Sequence, residues 1–282
     1  MQPDVVVRPM TALDLQAAQR LSTQLKWPHR PEDWAMMFRV GEGFVLEQDG
    51  QVIGTTFTCN QGGYSTIGLV IVDPAYQGKG LGRRLMERSL AASEGRKVML
   101  SATAEGAPLY RRLGFKAFGS VHQYQRTLDK VAVTTAPADD DLIRPARAGD
   151  LTAFVAIASE ATGMDRAALL NDLLPGADDV LVLNRGGQFS GFAVCRPFGH
   201  GHAIGPVVAP SEEQAWTLIQ ELLRRHAGDF LRLDCPAEGG LAQRLEQAGF
   251  ERRATVERMA LGEPPSISGP ARQFVLINQA LC

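Results

Sequence analysis

The sequence predicts an α/β fold, an α+β mixed sheet with helices on both sides, made twice in tandem. Three observations predict it. Short segments recur far along the chain in constant order and nearly constant register. Strand-like apolar runs alternate with segments of helical period. One buried run, Ile67–Val72, is joined to a helix by a turn holding Gly78, Gly80 and Gly82.

The recurrences set the domain count. Val6-Val7-Arg8-Pro9 with Asp14-Leu15 returns as Leu142-Ile143-Arg144-Pro145 with Asp150-Leu151, an offset of 136 residues. Gly50-Gln51-Val52-Ile53-Gly54 returns as Gly187-Gln188-Phe189-Ser190-Gly191 at offset 137, and Ile67-Gly68 as Ile204-Gly205 at the same offset. Leu113-Gly114-Phe115 is echoed by Ala248-Gly249-Phe250 at offset 135. A unit of this length is a duplicated domain, not a solenoid repeat. The expected divisions are residues 1–130, a linker at 131–141, a second copy at 142–262, and a connector and tail at 263–282.

The first copy opens with a strand at Val5–Arg8. A helix capped near Thr11 follows, with Leu13, Ala17, Leu21 and Leu25 on one face. Trp27–Trp34 is a loop leading into a second short helix. Strands Gly43–Gln48 and Gln51–Thr58 flank Asp49-Gly50, a tight hairpin turn. After the strand that ends in Asp73-Pro74 and the glycine turn, a helix runs from Leu81 to about Glu94. Val98–Ala102 is a strand, Ala107–Leu113 a helix stopped by Gly114, and Phe115–Phe118 and Val121–Leu128 close the sheet.

Val131–Asp141, rich in Ala, Thr, Pro and Asp, is the linker. In the second copy, Ser211 and Gln214 form a capping box for a helix that buries Trp216, Ile219, Leu222 and Leu223 and stops at Gly228. Its strand Gly205–Pro210 passes straight into Ser-Glu-Glu-Gln, without a glycine turn. Gly262–Ala271 is a connector. Arg272–Leu281, with Phe274, Ile277 and Leu281 on one face, is expected as a docked helix, with an added strand as the alternative.

Composition excludes several classes. The net charge of −2 argues against a nucleic-acid-binding surface over the whole chain. No apolar run reaches membrane-spanning length, and the amino terminus has no signal-peptide pattern, so a cytoplasmic protein without a membrane partner is expected. Cys59, Cys195, Cys235 and Cys282 form no Cys-x-x-Cys pair. Reduced, mostly buried thiols are expected, with Cys282 exposed.

The glycine turn carries the chemistry. Glycines let backbone amides converge, and the following helix adds free N–H groups and its positive dipole end. Such a nest holds a phosphate or pyrophosphate. It is no Walker loop, because Lys79 is followed by Gly80 and not by Ser or Thr. Nor is it a dinucleotide fingerprint, because the glycines are spaced Gly78, Gly80, Gly82. In the second copy, Glu212 and Glu213 stand where a pyrophosphate would lie and would repel it.

The run Leu69-Val70-Ile71-Val72-Asp73-Pro74-Ala75-Tyr76-Gln77-Gly78-Lys79-Gly80-Leu81-Gly82-Arg83 resembles the acetyl-CoA signature of the GNAT N-acetyltransferases, Gln/Arg-x-x-Gly-x-Gly/Ala, with Gln77, Gly80 and Gly82 at the defining positions. The resemblance implies two tandem GNAT (acyl-CoA N-acyltransferase) folds, the second degenerate and without a CoA loop. It also implies that the backbone of Val70, Ile71 and Val72 holds the pantetheine arm, and that the amides of Gly78, Lys79, Gly80, Leu81, Gly82 and Arg83 hold the pyrophosphate. Arg83 and Arg84 either reach outer phosphates or form a solvated helix face. Leu109-Tyr110-Arg111-Arg112-Leu113-Gly114-Phe115 resembles the family's Leu-Tyr-x-x-x-Gly-Phe element, which makes Tyr110 the expected general acid; Leu245 stands at its place in the second copy.

The general base stays open among Glu105, His122, Glu47 and a water chain. By the same resemblance, His29 and Trp34 are candidates for the acceptor wall. His122 and Tyr124, on a strand with several polar groups, are candidates for its lining. His200 and His202 lack a neighbouring cysteine or carboxylate in sequence, so no metal is expected. The resulting expectation is an acetyl-CoA-dependent N-acetyltransferase working by direct transfer to a small-molecule amine, as a monomer or homodimer. A protein N-terminus or lysine is the alternative acceptor. A non-catalytic CoA sensor is the alternative class.

Overall fold

The structure, a computed structural model, describes residues 4–130 and 143–282. The expected linker lies outside the described residues. Among those described, no helix is long and apolar enough to cross a membrane. The chain forms two compact units: Met1–Ala117 with Met259–Pro264 and Ala280–Cys282, and Phe118–Arg258 with Pro265–Gln279. Neither unit is one continuous stretch of chain.

In unit 1 the elements are β1 (Val6–Pro9), α1 (Leu15–Gln24), α2 (Pro31–Val40), β2 (Glu42–Gln48), β3 (Gln51–Gln61), β4 (Tyr64–Val72), α3 (Leu81–Ala92), β5 (Lys97–Ala102) and α4 (Ala107–Arg112). The strands pair in chain order, antiparallel from β1 to β4 and parallel between β4 and β5. The β2–β3 turn has Asp49 at φ 51° and Gly50 at φ 75°, the conformation a two-residue hairpin needs. Alternation along β3 puts helices on both faces. Thr56 and Thr58 hydrogen-bond to Ser89 of α3, while Phe57 packs 5.9 Å from the Trp34 ring of α2. Met259 joins Val98, Leu100 and Tyr110 in one apolar cluster of this unit.

The chain continues through β6 (Lys116–Thr127), one strand where the sequence suggested two. β7 (Ile143–Pro145), α5 (Leu151–Thr162), α6 (Ala167–Leu173), β8 (Asp179–Arg185), β9 (Gln188–Phe198), β10 (Gly201–Ala209), α7 (Glu212–Arg225), β11 (Phe230–Pro236), α8 (Ala242–Gln247), β12 (Glu251–Leu261) and β13 (Arg272–Val275) follow. In unit 2 the strand order is β6-β11-β10-β9-β8-β7. β6, encoded in the first repeat, thus pairs antiparallel with β11 of the second, from Thr127 with Phe230 to Val121 with Pro236. Phe192 of β9 stacks on Phe154 of α5 at 4.7 Å, and its neighbour Ala193 lies in the cluster with Leu218 and Leu222 of α7.

The repeated Arg-Pro…Asp motif has a structural cause. Arg8 grips Asp14 with both terminal nitrogens at 2.8 Å, and Asp14 Oδ2 accepts the Thr11 amide at 2.7 Å. Arg144, Asp150 and Arg147 repeat these distances in unit 2. Each pair ties the first strand of its copy to the start of the first helix.

Two further expectations fail. Cys282 is 2% exposed, and all four cysteines are buried. The tail is a strand and not a helix, because β13 supplies β10 with an antiparallel partner at Val207–Ala209.

Candidate active site

β4 and β5 pair at only three positions, Tyr64–Thr66 against Lys97–Met99, although β4 continues to Val72 and β5 to Ala102. The strands part beyond Thr66 and leave a cavity of about 780 Å3. One side is Ile67–Val72, continued by Gln77, Gly78 and Gly80 of the loop and by Leu81 and Gly82 at the start of α3. Ser101, Thr103, Glu105, Gly106, Leu109 and Tyr110 form another, with Leu25 and Trp27 from the α1–α2 connection.

β4 is bulged within this stretch. Leu69 has φ 51°, and the β3–β4 register shifts around it. A left-handed leucine is strained, and such strain concentrates at functional positions. Thr55 holds the bulge by donating its hydroxyl to the Leu69 carbonyl at 2.9 Å.

Gly78 at φ 76° and Gly80 at φ 75° form the loop in a conformation that side chains disfavour. Gln77, a predicted cofactor contact, donates its side-chain amide to the Val72 carbonyl at 3.0 Å and so ties the loop to the strand end. Arg84 N–H bonds back to the Gly80 carbonyl at 3.3 Å, so the amides of Leu81, Gly82 and Arg83 form the open helix start. Lys79 Nζ lies 5.2 Å from the Tyr76 ring centre. Arg83 pairs with Glu87 at 2.8 Å and remains exposed, whereas Arg84 donates to the Val5 carbonyl at 2.7 Å and anchors β1.

Tyr110 lines the cavity from α4 and is 8% exposed; burial pushes its hydroxyl up to about 12. Gly106 makes room for it, since a Cβ there would stand 3.0 Å from the ring. Glu105 is the one carboxylate among the lining residues. Its own backbone amide, and then Thr103, hold it below the ordinary carboxylate range. The Ser101 hydroxyl is buried without a hydrogen-bond partner among the described residues.

Other sequence candidates lie elsewhere. Trp34 is fully buried and donates its indole N–H to Ser22 at 3.1 Å. His29 lies between the Trp27 and Trp34 rings, at 6.1 and 6.2 Å. Neither His29 nor Trp34 lines the cavity. Glu47 is held by Arg8 at 2.6 Å, which removes it from the choice of base. His122 and Tyr124 belong to unit 2, where Tyr124 is a core residue and His122 Nδ1 lies 3.0 Å from the Thr255 hydroxyl. Burial, then Arg252, holds the His122 imidazole below its ordinary range. Sequence reasoning missed Trp27 and Ser101. Both left a trace: Trp27 opens the loop that ends in Trp34, and Ser101 is the polar residue within Val98–Ala102.

In unit 2 the corresponding slot is filled. β10 and β11 pair only from His202–Leu231 to Ile204–Leu233, and β13 lies on β10 beyond. The Leu276 amide bonds to the Asp234 carbonyl of β11 at 2.8 Å. At the helix start, Glu212 pairs with Arg244 of α8 at 2.8 Å. The repeated glycines mark close approach of the tail in each unit. A Cβ on Gly205 would strike the Leu276 carbonyl, and one on Gly68 would strike Ala280.

Residues 40–117 match an acetyltransferase (GNAT) domain model, and residues 155–272 match a second model of the same description. The chain is 30% identical over 279 residues to an uncharacterized N-acetyltransferase, YitH, of Bacillus subtilis, covering 93% of each chain. A putative acetyltransferase from Pyrococcus horikoshii superposes with a TM-score of 0.82 at 18% identity, covering 100% of this chain and 97% of that one. A GCN5-related N-acetyltransferase from Sphaerobacter thermophilus gives 0.66 at 19% identity, covering 96% and 99%.

Proposed function

Since the chain belongs to the GNAT family and is a tandem-domain N-acetyltransferase, we propose that unit 1 binds acetyl-CoA between β4 and β5 and that the acetyl group passes directly to a primary amine of a small molecule. The observation that carries this is the parting of two parallel strands with a left-handed glycine loop and an open helix start at its mouth.

The cavity's own chemistry supports the fit. Gly78 and Gly80 have no atom within 4 Å of where a Cβ would stand, so the loop leaves open space beside its amides. The orphaned Ser101 hydroxyl offers a further polar contact in the cavity. When bound, acetyl-CoA supplies an activated acetyl group as a thioester. The amides of Gly78 to Arg83 are the groups that would hold its pyrophosphate. The backbone of Val70 to Val72, unpaired on the β5 side, would hold the pantetheine arm as an added strand does.

Tyr110 keeps its proton throughout the neutral range and can deliver it from Oη to the departing sulfur. Glu105, ionised at neutral pH, draws a cationic amine toward the cavity. The amine gives up one proton to solvent before attack, and the second, lost on acylation, restores through water the proton that Tyr110 gives the sulfur. No imidazole or cysteine lies among the lining residues to activate a nucleophile, which favours direct transfer over an acyl-enzyme route. Leu25 and Trp27 give the acceptor an apolar wall.

The test is thiol release from acetyl-CoA over a panel of small amines and peptides. Release with small amines is expected. Release with peptides alone would overturn the acceptor, and tight acetyl-CoA binding without release on any amine would overturn the transfer.

A further inference from the structure

In unit 2, two imidazoles converge on one carboxylate oxygen. His202, near the start of β10, and His226, the residue after α7, have ring centres 4.9 Å apart. Asp229, in the turn before β11, places Oδ2 at 3.4 Å from His202 Nδ1 and 3.0 Å from His226 Nδ1. One nitrogen of each histidine and one oxygen of Asp229 all lie within 4.8 Å of one another. The opposite ring nitrogens each meet another carboxylate. His202 Nε2 is 2.9 Å from Asp178 Oδ2, and His226 Nε2 is 3.1 Å from Asp179 Oδ2. Asp179 is itself fixed by Arg225 at 2.9 Å.

A count of protons shows what is missing. A neutral imidazole has one N–H and one lone pair, so it can serve a carboxylate at only one nitrogen. Here each ring faces carboxylates at both. His202 Nδ1 is buried and, at 3.4 Å from Asp229, makes no hydrogen bond. If each ring donates Nε2–H to its outer aspartate, both Nδ1 lone pairs and Asp229 Oδ2 point toward one another. Three facing electron pairs need a cation between them.

The distances suit one. Nitrogen and oxygen ligands about 2.0–2.2 Å from a tetrahedral zinc stand about 3.3–3.6 Å apart. The two separations involving Asp229, 3.0 and 3.4 Å, lie close to that, and the two imidazole nitrogens, within 4.8 Å of each other, would close on the ion by about 1 Å at most. Outer carboxylates on the far nitrogens are the usual support of zinc-bound histidines, fixing the tautomer and the ring plane. Two imidazoles disfavour calcium and magnesium, which take oxygen ligands.

We propose that His202 Nδ1, His226 Nδ1 and Asp229 Oδ2 bind a zinc ion, with Asp178 and Asp179 orienting the two rings and a water completing the tetrahedron. The ion joins β10, the end of α7 and the turn before β11, with the start of β8 held through Asp178, just before it, and Asp179, its first residue. The sequence alone does not suggest this site because its ligands are far apart in the chain. His202 has no carboxylate beside it in the chain, and the fold brings two, Asp178 and Asp229.

The test uses the full chain, stripped with chelator and titrated with Zn2+ against a chromophoric competitor, with Co2+ as a spectroscopic stand-in. One equivalent of tightly bound zinc is expected, together with an intense tetrahedral Co2+ spectrum and a raised Tm. Mg2+ and Ca2+ should do nothing. Asp229→Asn and His202→Gln should lose the bound equivalent. Asp178→Asn should keep the stoichiometry while weakening affinity by roughly 10–100-fold. Circular dichroism confirms that each variant is folded. Failure of the folded wild type to take up zinc would overturn the site. Undiminished zinc binding by Asp229→Asn and His202→Gln, or a weak octahedral Co2+ spectrum, would equally overturn it.

Discussion

Burial of Tyr110 sets its hydroxyl at about 12, so it holds a proton at every pH at which the protein is assayed near neutrality. Replacing it with Phe removes that proton and little volume. Tyr110→Phe is expected to lower kcat by about 10²-fold or more while the acetyl-CoA dissociation constant stays within a small factor; stopped-time thiol release and calorimetry measure the two. Asp14 is the opposite case. The Arg8 guanidinium, chiefly through its hydrogen bonds, lowers the carboxyl from 3.8 to about 2. A depressed carboxylate stabilises the fold above its unfolded value and loses that contribution as pH falls through the folded one. Asp14→Asn should therefore cost roughly 1.5–3 kcal/mol at neutral pH. The gap to wild type should narrow between about pH 4 and pH 2, as urea melts across that range would show. These two residues were legible in sequence because each belongs to a local motif. The partners of His202 were not, since contact across distant segments leaves no spacing to read.

At the scale of elements, the glycine loop and α3 were legible because φ > 0 positions and a helix start are written in neighbouring residues. Gly80 sits at φ 75° with open space around it. Gly80→Ala should therefore act through the backbone, costing about 1–2 kcal/mol. The loop can evade that strain by shifting, so acetyl-CoA affinity should fall about tenfold with kcat less affected; a fluorescence titration checks it. The bulge at Leu69 had no such signature, because an apolar strand sequence does not reveal where its register slips. The tail misled for a related reason. Phe274, Ile277 and Leu281 fit a helical face, but a helix of ten residues is marginal alone. The unpaired backbone of β10, where β11 turns away, offers hydrogen bonds that decide the matter.

For the whole molecule, the duplication was visible and the assignment of its closing strands was not. β6 has the same local pattern whichever copy it completes, and only its pairing with β11 shows where it belongs. Met259–Pro264 likewise belongs to unit 1. A fragment ending at Lys130 would carry β6 without its partner and lack Met259 in the cluster around Val98 and Leu100. It is expected to show no cooperative melt and no acetyl-CoA binding. A fragment with native circular dichroism and full affinity would refute that.

The same divided composition has a bearing on how the protein is made. The ribosome delivers β5 early, but the segment that completes its apolar cluster emerges roughly 160 residues later, on the order of ten seconds at ordinary elongation rates. Through that interval the nascent first half shows Val98 and Leu100 to the cell without Met259 in their cluster. Chaperone dependence, and sensitivity to premature termination, should accordingly centre on the half that is synthesised first.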